Sequence, residues 1–323
     1  MTDANEMPDP RPAPPRAAHR MNAGEWGLLL SLSGLFGLSY LFQKIGLSEL
    51  PVFSVVLARV GLAAIPLVVI LYAVGQRLPT APGMWAGFMA IALLNNVVPF
   101  SLIIGGQQWI STGMTAILIG TTPMISVVLS HLLGDERLTA GRVAGVAVGL
   151  AGLVVLVGPE ALGGFTLGFM GQLLTLGAAL FYTLAAIYGR RFRDVPPLVL
   201  STGQLVCASA IMLPVAAFTD RFWIYPVSGG VWAALLALAV FGTSLGYIIY
   251  FRLLARAGPT NLLLVTLLVP VGATVTGAVF LEEAVTPAAL GGMALIFLGL
   301  AVIDGRPLAW ARRLKRDRGL SRR

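Results

Sequence analysis

Charge is scarce in this sequence: Asp, Glu, Lys and Arg make up 11% of its 323 residues, less than half the share of an ordinary soluble domain. A chain that is also 57% apolar, with a mean hydropathy of +0.86, has more apolar surface than a water-facing fold can bury. Its solvent is lipid. The one cysteine, Cys207, excludes an internal disulfide, and its neighbours Leu205, Val206, Ala208 and Ala210 make it a small apolar helix residue without a redox role. The sequence has no H-x-x-x-H pair, no Asp-rich metal motif and no Walker loop. It therefore reads as a non-enzyme without cofactor or metal, and without the apparatus of an ATP-driven pump.

The net charge of +8 has to be located before it is interpreted. Residues 1–23 are polar and proline-rich (Pro8, Pro10, Pro12, Pro14, Pro15) and read as a disordered tail. They are not a secretory signal, because the first apolar stretch is long enough to span and runs on into further membrane. Ten apolar segments follow, near 26–46, 52–74, 84–106, 112–133, 140–158, 165–189, 197–218, 231–251, 259–280 and 286–304. Each is long enough to cross a hydrocarbon layer of about 30 Å. Of the 22 basic residues, Lys44 and Arg221 fall on one side of such a membrane and Arg59 within a span; all the others fall on the opposite side. The positive-inside asymmetry puts both termini in the cytoplasm of a multi-pass protein of the inner (plasma) membrane. Residues 305–323 then form a basic cytoplasmic tail lying against anionic headgroups, and no nucleic-acid partner is expected.

The chain repeats. A shift of 147 places Trp85-Ala86 on Trp232-Ala233, Pro123 on Pro270, Glu136 on Glu283, Gly145 on Gly292 and Gly152 on Gly299, all in one register. Pro51 and Arg59 in the second segment are mirrored by Pro196 and Gln204 in the seventh, eight residues apart both times. Two repeats, 24–158 and 165–304, then hold five helices each. Five is odd, so the second enters the membrane from the opposite side. The fold expected is an all-α membrane protein of ten transmembrane helices in two inverted five-helix repeats.

The arrangement resembles the EamA-type branch of the drug/metabolite transporter superfamily. The resemblance is carried by Thr121-Thr122-Pro123 through Asp135-Glu136-Arg137 to Gly141-Arg142-Val143-Ala144-Gly145, by Val269-Pro270 through Glu282-Glu283 to Gly291-Gly292, and by the Pro51 and Arg59 pair. It implies transport of an amino acid, another metabolite or a drug.

A substrate site is expected where the two halves interrupt corresponding helices. Pro123 and Pro270 each remove an amide donor in mid-helix and free a carbonyl four residues earlier, at Ile119 and at Thr266. With Thr122 they form the candidate helix-break and gating set; the alternative is a purely structural kink. Asn96 and Phe100 on the third segment correspond to Thr243 and Tyr247 on the eighth, and their spacing of four puts each pair on one helix face. Tyr250, Tyr40 and Tyr182 complete the candidate lining, against the alternative of ligand-free interhelical hydrogen bonds. Arg59 is a charge about 12 Å inside its span, where burial costs at least 2.5 kcal/mol or so; it either meets a substrate anion or braces helices. The glycines of segments five and ten either hold each half together or form a dimer seam, leaving monomer and homodimer both open.

No Asp or Glu lies at a helix centre, so proton-coupled export of a cation lacks its usual carboxylate. The expected function is a secondary transporter moving a neutral, zwitterionic or anionic small organic metabolite by alternating access. The alternatives are a drug exporter and a non-transporting membrane sensor or structural subunit. The topology is checked with reporter fusions: those after Arg77, Arg193 and Arg323 should read cytoplasmic, and those after Gly106, Gly163 and Gly229 external. An external C-terminus would remove the inverted-repeat argument.

Overall fold

A computed structural model of the chain describes residues 21–133, 139–162, 166–262 and 264–304. Its regular structure among these residues is helical throughout: α1 Ala23–Gly46, α2 Val52–Ala73, α3 Pro82–Gly106, α4 Thr112–Leu132, α5 Ala140–Leu162, α6 Leu167–Gly189, α7 Pro197–Thr219, α8 Gly229–Gly258, α9 Leu264–Phe280 and α10 Pro287–Asp304. The first eight are long and apolar enough to cross a membrane, and α9 and α10 are shorter apolar helices. α9 is short by this measure because Gly258, at φ +79, breaks the helical path and four further helical residues, 259–262, precede its assigned start. Side chains such as Ile65, Val69, Val154, Phe218 and Val275 are more than half exposed, as apolar residues facing lipid are. The chain is a multi-pass membrane protein. Residues 1–20, the acidic turn Asp135–Arg137 and the basic tail 305–323 lie outside the described residues.

Helix starts follow local chemistry. Asn22 and Glu25 form a reciprocal capping box on α1, and Ser111, Thr166 and Ser228 each accept a first-turn amide with the side chain. α2 starts at Pro51, which offers no side-chain acceptor.

Two helices carry a π-helical turn at matching places. Leu93–Val97 in α3 and Val240–Leu245 in α8 begin 240 − 93 = 147 residues apart, the register of the sequence repeat. A π turn widens the helix and leaves carbonyls without their usual donors. In α8 the hydroxyls of Thr243 and Ser244 supply them, donating to the carbonyls of Leu238 (3.2 Å) and Ala239 (3.0 Å), five residues earlier.

The two mid-helix prolines behave differently. Around Pro123 the helix is interrupted at Gly120-Thr121, and the Thr122 hydroxyl donates to the freed Ile119 carbonyl at 2.6 Å while Thr121 caps Leu118 at 2.7 Å. Pro270 instead lies inside a continuous α9. The residues matching Thr121 and Thr122 under the repeat are Leu268 and Val269, which have no hydroxyl to stabilise an opened turn. The expectation of paired interruptions is thus corrected: one helix breaks, and its partner keeps only the missing proline hydrogen bond. A methyl added at Gly120 would lie 3.5 Å from Pro270 Cγ, so Pro270 meets α4 at its interruption.

The glycines of segments five and ten do not bind each half internally. They join α5 to α10, across the two halves. A Cβ on Gly152 would stand 2.8 Å from the Gly292 carbonyl oxygen, and one on Gly299 would stand 2.6 Å from that of Gly145. The two backbones therefore touch, which only glycine permits. Gly152→Leu should force this seam apart, costing more than the usual overpacking penalty of about 1–3 kcal/mol, whereas Gly141→Leu, with open space at its Cβ, should be tolerated. Thermal unfolding of the two variants in detergent checks this; equal melting temperatures would mean the seam does not bear load.

Candidate functional site

The centre of the bundle is built from the two π turns. Asn96 at the first is fully buried and donates through Nδ2 to the Tyr247 hydroxyl on α8 at 3.0 Å. One turn along α3, Phe100 lies under the guanidinium of Arg59, 3.7 Å from Arg59 Cζ to the ring centroid. Arg59 Nε donates in turn to Thr243 Oγ1 at 3.3 Å. Asn96 thus faces Tyr247, and Phe100 faces Thr243 through Arg59, so the two segments run antiparallel with two rungs between them. Under the repeat the rungs are mates, since Asn96 corresponds to Thr243 and Phe100 to Tyr247. They differ because phenylalanine has no hydroxyl, and on that rung the arginine supplies the polar contact.

Arg59 is buried and has no carboxylate beside it among the described residues. Of its five N–H donors, only the one on Nε has a protein acceptor there; the face of Phe100 contributes a cation–π attraction. The side chains of Tyr182, Tyr247 and Tyr40 are within electrostatic reach of the guanidinium. Beside it the Asn96 carbonyl oxygen Oδ1 is sealed from solvent with no hydrogen-bond donor. A buried cation with free donors and a buried amide with a free acceptor lie on consecutive rungs. Together they can receive an anionic oxygen and a donating group of one small solute.

The structure gathers Arg59, Asn96, Phe100, Thr243 and Tyr247, with Tyr40 and Tyr182 around the cation. Tyr250 stands nearly one turn further along α8, edge-on to Phe251 at 5.2 Å. Pro270 stands at the α4–α9 contact beside Gly120, and Thr122, next to Pro123, accepts from Thr183 of α6 through its carbonyl at 3.4 Å; none of these, nor Thr266, is among the residues gathered at the rungs. Two residues join the site that sequence reasoning did not place in the lining. Gln204 accepts from Asn95 Nδ2 at 3.1 Å, and Ser244 donates to the Ala63 carbonyl of α2 at 3.0 Å. Gln204 had a signal, since it is the repeat mate of Arg59; Ser244 had none beyond its neighbour Thr243.

The sequence matches the family described as the EamA-like transporter family over residues 25–158 and again over 169–304. The chain belongs to the EamA-like transporter family, within which similar proteins are named as transporters. It is 24% identical over 278 residues to "Uncharacterized transporter YoaV" of Bacillus subtilis, covering 84% of this chain and 94% of that one. It is 25% identical over 305 residues to the "Probable amino-acid metabolite efflux pump" of Escherichia coli, covering 89% and 97%. Against the "Probable terminal-alkyne amino-acid exporter" of Streptantibioticus cattleyicolor it is 25% identical over 297 residues, covering 90% and 96%. A solved crystal structure superposes with a TM-score of 0.62 over 90% of this chain and 98% of the other, at 22% identity, which establishes a shared fold.

The two roles of Arg59 make opposite predictions for stability. If the cation serves a ligand, replacing it with an apolar side chain of similar length removes a desolvation cost and loses one hydrogen bond. Arg59→Met should then melt at the same temperature or higher in detergent while abolishing solute flux. A melting temperature lowered by several degrees would instead make Arg59 a brace.

Proposed function

We propose that this chain is a secondary transporter of a small organic metabolite bearing a carboxylate, an amino acid or a related solute, and that the solute binds between the π turns of α3 and α8. The observation that carries this reading is the buried guanidinium of Arg59, supported by Thr243 and Phe100 and lacking an anion. Such a charge persists in an apolar interior where something of opposite sign visits it. The names of the amino-acid exporters among its relatives agree with a carboxylate cargo.

The architecture belonging to this proposal is ten transmembrane helices in two inverted five-helix repeats, 24–158 and 165–304, with both termini in the cytoplasm and the protein in the plasma membrane. The matched π turns and the antiparallel rungs support it. An antiparallel pair related by a repeat is what a pseudo-two-fold axis in the membrane plane would produce. Alternating access then follows as rocking of one half against the other about the central rungs. Drug export is the second reading, favoured by the aromatic surroundings of Tyr40, Tyr182 and Tyr250.

Asn96→Leu and Tyr247→Leu remove the first rung while leaving side chains at home in a packed bundle. Each should abolish amino-acid counterflow in proteoliposomes, with membrane-inserted protein recovered at parental yield. Normal counterflow by both variants would show that the rung is a ligand-free helix contact.

A further inference from the structure

At one end of the bundle four connections meet: residues 47–51, 107–111, 220–228 and 281–286. Three carboxylates there each cap a helix start belonging to the other half of the chain. Glu283, from the second half, accepts the Thr112 amide of α4 at 3.0 and 2.9 Å with its two oxygens and the Thr112 hydroxyl at 2.6 Å. Asp220, also from the second half, accepts the Ser54 amide at 2.7 Å and its hydroxyl at 2.9 Å. It thereby supplies the acceptor that Pro51 cannot give α2. Glu49, from the first half, accepts the backbone amide of Ser228, the N-cap of α8, at 2.6 Å, and that bond holds its carboxyl below the usual carboxylate range. Lys44 ties the same end together, donating to the carbonyls of Gln107 and Ile110 within electrostatic reach of Glu283.

These are charge-assisted bonds to helix N-termini, short and directional. The Glu49–Ser228 bond is exposed and the other two are part-buried, with Thr112 and Ser54 themselves covered, so on opening of this end water can take the place of either partner at little net change. Besides the hydrogen bonds of the central rungs, two further contacts between the halves are different in kind. At the opposite end Phe88 of α3 packs on Phe192, just beyond α6, at 6.0 Å, and α5 meets α10 backbone to backbone. Opening either of those exposes apolar surface or breaks a glycine seam. Arg221 and Glu282, the two non-glycine residues with positive φ among the described residues, are the sequence neighbours of Asp220 and Glu283. Left-handed strain of this sort is held in place by surrounding contacts and is found at switch segments.

We propose that Glu49, Asp220 and Glu283 form the outer latch of the transport cycle, three caps made in trans that hold the halves closed at the end away from the termini and release together when that end opens. The inference rests on the alternating-access reading above. The structure is the latched state, and the solute reaches the Arg59 rung from outside only after the three carboxylates have let go.

The test is a distance across that end. In a Cys207→Ala background, spin labels on Gln108→Cys and Ile224→Cys, exposed positions in opposite halves, report the gap by double electron–electron resonance in nanodiscs. The triple variant Glu49→Ala, Asp220→Ala, Glu283→Ala should raise the long-distance population severalfold over the parent. Each single variant should raise it less, which keeps the claim testable where the triple variant fails to fold. Asp194→Ala, an exposed carboxylate at the other end, should leave the distribution unchanged. Distributions that superpose on the parent in all latch variants would overturn the proposal. Normal counterflow with an unresponsive outer end contradicts the latch alone; a responsive outer end in a protein without counterflow supports the latch and contradicts the transport reading.

Discussion

The structure turns on one buried positive charge. Arg59 occupies a place where burying a cation is costly, and its support is one threonine hydroxyl and one phenylalanine face. Both come from helices whose regular path is widened by a π turn. From these turns Asn96 reaches Tyr247 on the facing helix, and Thr243, whose hydroxyl donates to the Leu238 carbonyl of its own helix, accepts from Arg59 of α2. An ionic partner would make the site a sealed salt bridge; among the described residues no carboxylate stands beside Arg59, and the proposed carboxylate cargo rests on that.

Around this centre the two halves are held by contacts of three physical kinds. The α5–α10 seam is van der Waals contact between backbones, strong only at close fit and intolerant of side chains. The end near the start of α3 is aromatic packing, and the other end is carboxylate capping at the water interface. A molecule that rocks needs one contact that persists and others that exchange, and the difference in chemistry sets which is which: apolar packing resists separation in water, whereas hydrogen-bonded caps trade partners with it.

The membrane class, the segment positions and the family resemblance were legible in the sequence because each rests on many residues acting together: long apolar runs, basic asymmetry, and a repeat that holds one register over dozens of positions. Asn96, Phe100, Thr243 and Tyr247 were legible for the same reason, since the shift of 147 pairs them and helical spacing puts them on one face. The differences between the halves were not. That Pro123 breaks its helix while Pro270 does not depends on hydroxyls one and two residues earlier, a local detail the repeat register hides. The glycine seam was visible as small residues at helical spacing, but its partner helix was not, because spacing along one helix carries no record of what packs against it. The carboxylate caps crossed from one half to the other between loops more than 160 residues apart in sequence, where no periodicity could point.

What meets Arg59 decides whether the centre of the bundle is a carboxylate site. Counterflow in proteoliposomes loaded with an amino-acid mixture measures this directly, by comparing free amino acids with their carboxamides as competitors for uptake of labelled amino acid. Competition by the carboxylates and not by the carboxamides, with uptake little changed by an imposed pH gradient, is the result predicted. Equal competition by both sets, or uptake that collapses with a protonophore, would contradict a carboxylate-binding arginine at the centre of the cycle.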